Sequence, residues 1–367
     1  MTHGGRAIRL VAVGDLQLGD SATCVGFGFR SRVPGRVLGA ALGRFTAAMG
    51  PVDFAFANLE TPLSDIGFDH RSRRTRQLRG DPDYAALLQS AGFTVLNVAN
   101  NHALEHGPEA FRDSVSRLES LGIAVCGQKG SGGWVARPST RMVMGVRVGF
   151  LGYSLRPGQD ETGSRLHAEA TSAQILADVA RLRSVADCVV VSLHWGEEFA
   201  QVPSASEVAV AHAIVDAGAA VILGHHPHVA RPVERYRGGI IAYSLGNFAG
   251  DMIWYPPLRR GLVLDCRLTA EGVEDVRVYS TFVGRSFLPR QDDRPLVPVT
   301  EQVVGLADAD YISLARSTVR AQRRALYFYT LRNAWRFDPR VLGELALTTL
   351  SGKVSRAKRG DRDEIWG

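Results

Sequence analysis

The stretch Val221-Ile-Leu-Gly-His-His-Pro-His-Val229 constrains the fold of this chain more than any other. Three apolar residues lead into Gly224, and three histidines follow within four positions. An apolar run closed by a glycine and a polar cluster reads as a buried strand that delivers its cargo to a loop at the edge of a sheet. A neutral imidazole offers a ring-nitrogen lone pair to zinc, manganese, iron or nickel. His226 and His228 lie two residues apart, so in an extended segment both point the same way. Pro227 stiffens the loop between them. A polar surface turn is the plain alternative, but such a cluster is costly to place at the end of a core strand without a use.

The same plan recurs along the chain. Ile8–Val13 is a short apolar run that ends at Gly14-Asp15. Asp53–Ala57 delivers Asn58-Leu-Glu60, and Thr94–Ala99 delivers Asn100-Asn101-His102 with Glu105 one helical turn further on. Cys188–Leu193 delivers His194-Trp195, and Ile240–Tyr243 delivers Ser244-Leu-Gly-Asn247. Helical patterns fall between them, at Val37–Met49, Tyr84–Ser90, Glu109–Leu121, Gln174–Ser184 and Glu207–Ala217. Leu262–Leu268 and Val276–Val283 read as antiparallel closing strands. Strand, polar tip and helix in repetition predict an α/β domain of parallel strands flanked by helices. Ligand sites in such sheets favour the C-terminal strand ends.

The remaining features exclude more than they assign. No apolar stretch is long enough for a transmembrane helix, and with Ile8 so close to the first residue no signal peptide is expected. A cytoplasmic location is the expectation. The four cysteines are scattered singly, which predicts buried structural thiols. A net charge of +6 favours an anionic partner weakly. Arginines gather at Arg71, Arg73, Arg74, Arg76 and Arg79, in what reads as a loop over 64–81. This group is either a polyanion site or a solvated surface. Ser244 lacks the Gly-x-Ser-x-Gly setting of a serine nucleophile, and no P-loop is present. From about residue 300 the character changes to an arginine-rich helix, Tyr311–Asn333, and a basic stretch, Lys353–Arg359. The division expected is a catalytic-type domain over 1–290 and a helical basic extension over 291–367.

Each polar tip alone is weak, since a single Asp after a strand is commonly a helix cap. Parallel strands, however, bring all the tips to one sheet edge. Two carboxylates and three imidazoles gathered there make the ligand set of a two-metal hydrolytic site, with metals about 3.5–4 Å apart.

Gly14-Asp15, Asn58-Leu-Glu60, Ala99-Asn-Asn-His102-Ala-Leu-Glu105-His-Gly107, His194-Trp-Gly196, Gly224-His-His-Pro-His228 and Ser244-Leu-Gly-Asn-Phe248 resemble the successive motifs of CapA-type proteins. That family is named for poly-γ-glutamate capsule synthesis and belongs to the calcineurin-like metallophosphoesterase superfamily. The resemblance covers 8–250 and implies a four-layer α/β/β/α sandwich. It also implies metal ligands at Asp15, Glu60, Asn101, His194, His226 and His228. His102 resembles the histidine that protonates a leaving group, and Glu105, where aspartate is more usual, would orient its ring. Asn100, His225, Trp195 and Asn247 would contact substrate or support the ligands. Gln17 departs from the family, because the superfamily's first motif is Asp-x-His, so one of two divalent metals (Mn, Fe or Zn) would be weakly held.

Three functions follow from this resemblance. The first is a hydrolase that acts on a phosphoester or other anionic substrate through a water activated by two metals. The second is a capsule-type biosynthesis factor working on an amide-linked anionic polymer or metabolite. The third is a non-catalytic, metal-stabilised binding module. No specific nucleic-acid partner is expected, and the sequence is compatible with a homo-oligomer.

Overall fold

The computed structural model describes residues 7–158, 165–269, 272–292 and 296–337. Its strands, in chain order, are β1 (Ile8–Leu16), β2 (Phe54–Leu59), β3 (Val95–Asn97), β4 (Ala124–Cys126), β5 (Ser139–Val143), β6 (Val146–Ser154), β7 (Cys188–His194), β8 (Val221–His225), β9 (Val233–Tyr236), β10 (Gly239–Ala242), β11 (Asn247–Ala249), β12 (Arg260–Thr269), β13 (Gly272–Val283), β14 (Pro289–Gln291) and β15 (Val299–Thr300). They form two sheets. The first runs β14-β13-β12-β1-β2-β3-β4, and β11 joins it beside β1. The second runs β15-β9-β10-β8-β7-β6-β5. Strands β1 to β4 are mutually parallel, and so are β6, β7, β8 and β10.

Alternation along each strand sends its residues to two different cores. On β1, Ile8, Leu10 and Ala12 face the second sheet, while Val11 and Val13 face helices. On β7, Cys188 and Val190 face the first sheet, while Val189, Val191 and Leu193 face helices. Phe54 of β2 meets Phe150 of β6 edge to face across the middle layer, with ring centroids 5.1 Å apart. Helices Gly35–Met49, Tyr84–Ser90 and Gly107–Ser120 cover the first sheet through Leu38, Leu42, Leu88, Phe111 and Leu118. Helices Ser172–Arg183 and Ala205–Asp216 cover the second through Ile175, Val179, Leu182 and Ile214. The expected four-layer α/β/β/α sandwich is the observed architecture. Both covering helices of the second sheet begin with capping boxes, Thr171 with Gln174 and Ser204 with Glu207.

Three local differences from the sequence reading have physical causes. The chain from 291 onward is not purely helical, because Val299–Thr300 adds a strand beside β9. The helix Asp308–Arg332 follows, and the basic stretch Lys353–Arg359 lies outside the described residues. The 64–81 segment is not a uniformly solvated loop. Arg79 is only 2% exposed and donates to the carbonyls of Ser64 (2.9 Å) and Ile66 (2.7 Å), and burial pushes its guanidinium down to about 10. Asn247 does not sit at the tip of β10. The chain crosses between sheets at Ser244–Gly246, so Asn247 pairs with Asp15 of β1. All four cysteines are buried and none is in a disulfide, as expected.

Asp251, just after β11, is fully buried and accepts from the backbone N–H groups of Ser21 and Phe29. Burial, with the charge of Asp20, pushes its carboxyl up to about 7. An acid raised in the folded state stays protonated there after the unfolded chain has ionised, so its contribution is lost as pH rises from about 4 to about 7. Urea unfolding of Asp251→Asn should therefore lose less stability than the parent between pH 5 and pH 8. Only the stretch from pH 5 to about 7 counts in that window, so the expected difference is on the order of 3 kcal/mol at about 1.4 kcal/mol per pKa unit. Parallel pH curves for the two proteins would refute the assignment.

Candidate metal centre

Both sheets end at one edge, and each delivers part of a polar cluster. From the first sheet come Asp15 on β1, Glu60 just after β2, and Asn100, Asn101 and His102 after β3. From the second come His194, the last residue of β7, and the His225–His228 run that closes β8. Close backbone approach makes this convergence possible. A Cβ on Gly14 would stand 1.9 Å from the Gly246 carbonyl oxygen, and one on Gly224 would stand 2.2 Å from that of Tyr243. Only glycine fits where these strands deliver Asp15 and the histidines.

The predicted ligands come together. Ligand atoms of Glu60, His194 and His226 all lie within 4.8 Å of one another, and so do those of Asp15, Glu60 and His228. Glu60 belongs to both groups. Asn101 Oδ1 lies 2.8 Å from His194 Nε2. Asp15 accepts from Asn58 Nδ2 (2.8 Å) and pairs with His225 Nδ1 (2.9 Å). His225 therefore supports Asp15 and joins neither group. Asn247 Oδ1 lies 3.0 Å from His228 Nδ1, while its amide donates to the Leu258 carbonyl. Trp195 lies in the helix-side core, stacks on Tyr243 and donates to the Tyr243 carbonyl, so it packs beneath the site. Asn100 is buried, donates to the Leu59 carbonyl and accepts from the His102 N–H.

His102 and Glu105 form a separate pair. Nδ1 of His102 lies 2.7 Å from Glu105 Oε2, and Gln77 donates to the other carboxylate oxygen at 2.8 Å. Burial opposes charge on the imidazole, but the carboxylate outweighs it and raises the His102 pKa. Burial likewise opposes charge on Glu105, and the hydrogen bond to His102 outweighs it and lowers that pKa. On the other side of the ring, Nε2 lies 3.3 Å from Asn101 Nδ2.

Electrostatics divides the other groups. Burial alone would raise Asp15, but its bonds to His225 and His228 hold it well below the usual carboxylate range. Burial pushes Glu60 up to about 7. It opposes charge on His228 too, but Glu60 and Asp15 raise that imidazole to about 10. His194 and His226 are held well below the ordinary imidazole value by burial. They are neutral and keep their lone pairs.

The fit to a divalent cation rests on polar atoms that the protein does not satisfy. Both oxygens of Glu60, Nδ1 of His194 and both ring nitrogens of His226 are buried without a hydrogen-bond partner. Each such group costs about 1–3 kcal/mol, and buried polar groups are otherwise nearly always paired. His226 and His228 also hold positive φ values of 92° and 57°, a strain that proteins tolerate mainly at functional positions. Neutral imidazoles, a carboxylate shared by two groups and a carboxamide form a donor set suited to divalent metals.

Sequence reasoning missed two residues. Asn58 bridges Asp15 to Asn97, whose amide donates to Asn58 Oδ1 at 2.8 Å. Glu198 forms a third group with His226 and His228, again within 4.8 Å. Polar residues inside a buried strand were the available signal for Asn58. For Glu198 the sequence offered only an acidic pair after Gly196. Gln17 is buried, with its amide oxygen unpartnered.

Four layers that deliver such a cluster to one edge make an α/β/β/α sandwich with a candidate metal centre. The chain belongs to the family described as bacterial capsule synthesis protein PGA_cap, whose family model matches residues 9–252. It is 34% identical over 211 residues to the capsule biosynthesis protein CapA of Bacillus anthracis, covering 55% of this chain and 51% of the relative. It is 32% identical over 211 residues to the PGA biosynthesis protein CapA of Bacillus subtilis (strain 168), covering 55% and 54%. The chain thus spans about half the length of these curated relatives. Among solved structures it is similar to the calcineurin-like phosphoesterase YfkN of Bacillus subtilis. There the identity is 9% and the TM-score 0.44, over 89% of this chain and 99% of that one. Among the described residues no helix is long and apolar enough to cross a membrane.

Proposed function

We propose that this protein is a metal-dependent hydrolase of the CapA type that acts on a phosphoester or other anionic substrate. One observation carries the reading: unpartnered donors of Glu60, His194 and His226 converge beside the intact His102–Glu105 pair. Glu60, Asn101, His194 and His226 would hold one divalent ion, and Asp15, Glu60 and His228 the other. Bound there, the pair would supply electrophilic activation of the scissile group and an acidified water at neutral pH. Manganese, iron and zinc all suit the mixed donors.

The chain's own residues supply the rest. Glu105 fixes the His102 ring through Nδ1 and favours its protonated form, which leaves Nε2 to donate a proton to a departing oxygen. Asn100 ties the His102 backbone to the end of β2. His225 and Asn58 keep Asp15 ionised and oriented, and Asn247 orients His228. The family description favours a second reading, in which the same site works on or binds an amide-linked anionic polymer.

Elemental analysis of the purified chain, beside p-nitrophenyl phosphate and bis-p-nitrophenyl phosphate assays with manganese, tests the proposal. About two metals per chain with phosphoester turnover is the expected result. Bound metal with no phosphoester turnover but cleavage or retention of poly-γ-glutamate would favour the second reading. A chain that holds no metal would overturn the metal-dependent mechanism.

A further inference from the structure

The loop after β7 is held from three sides. Gly196 has φ +76°, and a Cβ there would meet Glu207 Oε1 at 2.1 Å, Arg231 Nη1 at 2.9 Å and Tyr311 Oη at 3.1 Å. Arg231 is buried. It donates to the carbonyls of Ala200 (2.7 Å) and Glu197 (3.2 Å), to Glu207 Oε1 (2.8 Å) and to Tyr311 Oη (2.8 Å). The Glu197 N–H also donates to Tyr311 Oη, at 2.7 Å. Past Glu198, Phe199 takes φ +66° and donates its N–H to the Pro227 carbonyl at 2.9 Å. One end of this loop is thus clamped to Arg231 and Tyr311, and the other is bonded into the His226–His228 run.

This clamp sorts two adjacent acids. Glu197 turns outward to Arg156, at 2.8 Å. Glu198 turns to the histidines, where its carboxylate shares a 4.8 Å neighbourhood with ring nitrogens of His226 and His228. Neither ring nitrogen of His226 has a hydrogen-bond partner. Gln17, two residues past Asp15, is buried with its amide oxygen unpartnered. Tyr311 belongs to the first turn of the helix Asp308–Arg332, outside the family-matched residues 9–252. The start of that helix is tied to the domain by backbone bonds from Leu306 to Pro203 and from Ala205 to Leu306.

We infer that Glu198 is an additional carboxylate donor to the metal centre, completing it on the solvent side beside His226 and His228. We further infer that Tyr311 is the positioning residue that aims Glu198 there, so the segment beyond residue 252 is part of the site. The inference rests on the metal-centre reading above.

Isothermal titration of the metal-free full chain with Mn²⁺, beside the electron paramagnetic resonance signal of bound Mn²⁺, tests it. Glu198→Gln should weaken one Mn²⁺ equivalent by about 10–100-fold, with an altered signal and an unchanged thermal midpoint of the metal-free protein. Tyr311→Phe removes a single hydroxyl and should weaken the same equivalent by a smaller factor. Tyr327→Phe, on the same helix far from the loop, should bind like the parent. Parent-like Mn²⁺ binding by Glu198→Gln would overturn the donor role and leave the wider metal reading standing. Weakened binding in Glu198→Gln with parent-like binding in Tyr311→Phe would overturn the positioning role alone. A parent chain that takes up no Mn²⁺ would overturn this inference together with the reading beneath it.

Discussion

Replacing His102 by alanine should leave bound metal in place and lower phosphoester turnover by about 10²–10⁴-fold, the usual contribution of a positioned proton donor. The imidazole belongs to none of the three ligand groups. Its Nδ1 is committed to Glu105 and its Nε2 faces Asn101, so its removal takes no donor from the centre. The loss should fall on kcat, because the interaction is made chiefly with the departing oxygen. Metal content by elemental analysis and steady-state kinetics on one preparation read both halves. A variant that loses metal together with activity would show that His102 is a ligand and would reverse the roles assigned here.

His226→Ala should give the opposite pattern. His226 belongs to two of the three ligand groups and is a neutral imidazole with no other partner. Without it, the ion assigned to Glu60, Asn101, His194 and His226 and the turnover should be lost together. The parent's thermal stabilisation by excess manganese should shrink by that site's share, a term worth about 2.7 kcal/mol at a hundredfold excess over Kd. In the metal-free state the variant should unfold close to the parent, because the lost packing is partly offset by removing two unsatisfied buried nitrogens. Thermal melts with and without manganese decide the matter. A manganese-dependent shift as large as the parent's would exclude His226 from the centre.

Much of this arrangement was legible in the sequence, because the fold repeats one local rule. Apolar runs such as Val221–Leu223 and Cys188–Leu193 announce buried strands, and the polar residues at their ends must gather wherever those strands are parallel. The same rule made Asp15, Glu60, His194 and the histidine run visible as candidates. What it could not supply was register and backbone direction. The role of Asn58 depends on its lying level with Asp15 on β1 and Asn97 on β3. The placement of Asn247 depends on a crossing between sheets that a strand-by-strand reading does not contain. Glu197 and Glu198 are alike in sequence. The positive φ values at Gly196 and Phe199, with the Glu197 backbone bonds to Arg231 and Tyr311, decide which of them meets the histidines. Arg79 reads as one more exposed arginine until two backbone carbonyls are found to claim it.

The first sheet also dictates the order in which this chain can be completed. Its central strand, β1, is made first, yet Ile8 pairs with Leu268 and Val13 with Val263. The β2 side of β1 can close early. The other side stays an open row of backbone donors and acceptors until β11 and β12 are available. Closing that edge means joining segments near opposite ends of the described chain, the kind of distant pairing that slows folding. A nascent or truncated chain ending before residue 260 would thus carry an uncapped edge through the middle of its own core, a template for pairing with other molecules. Asp15, on that same strand, acquires its neighbour Asn247 only when β11 joins β1.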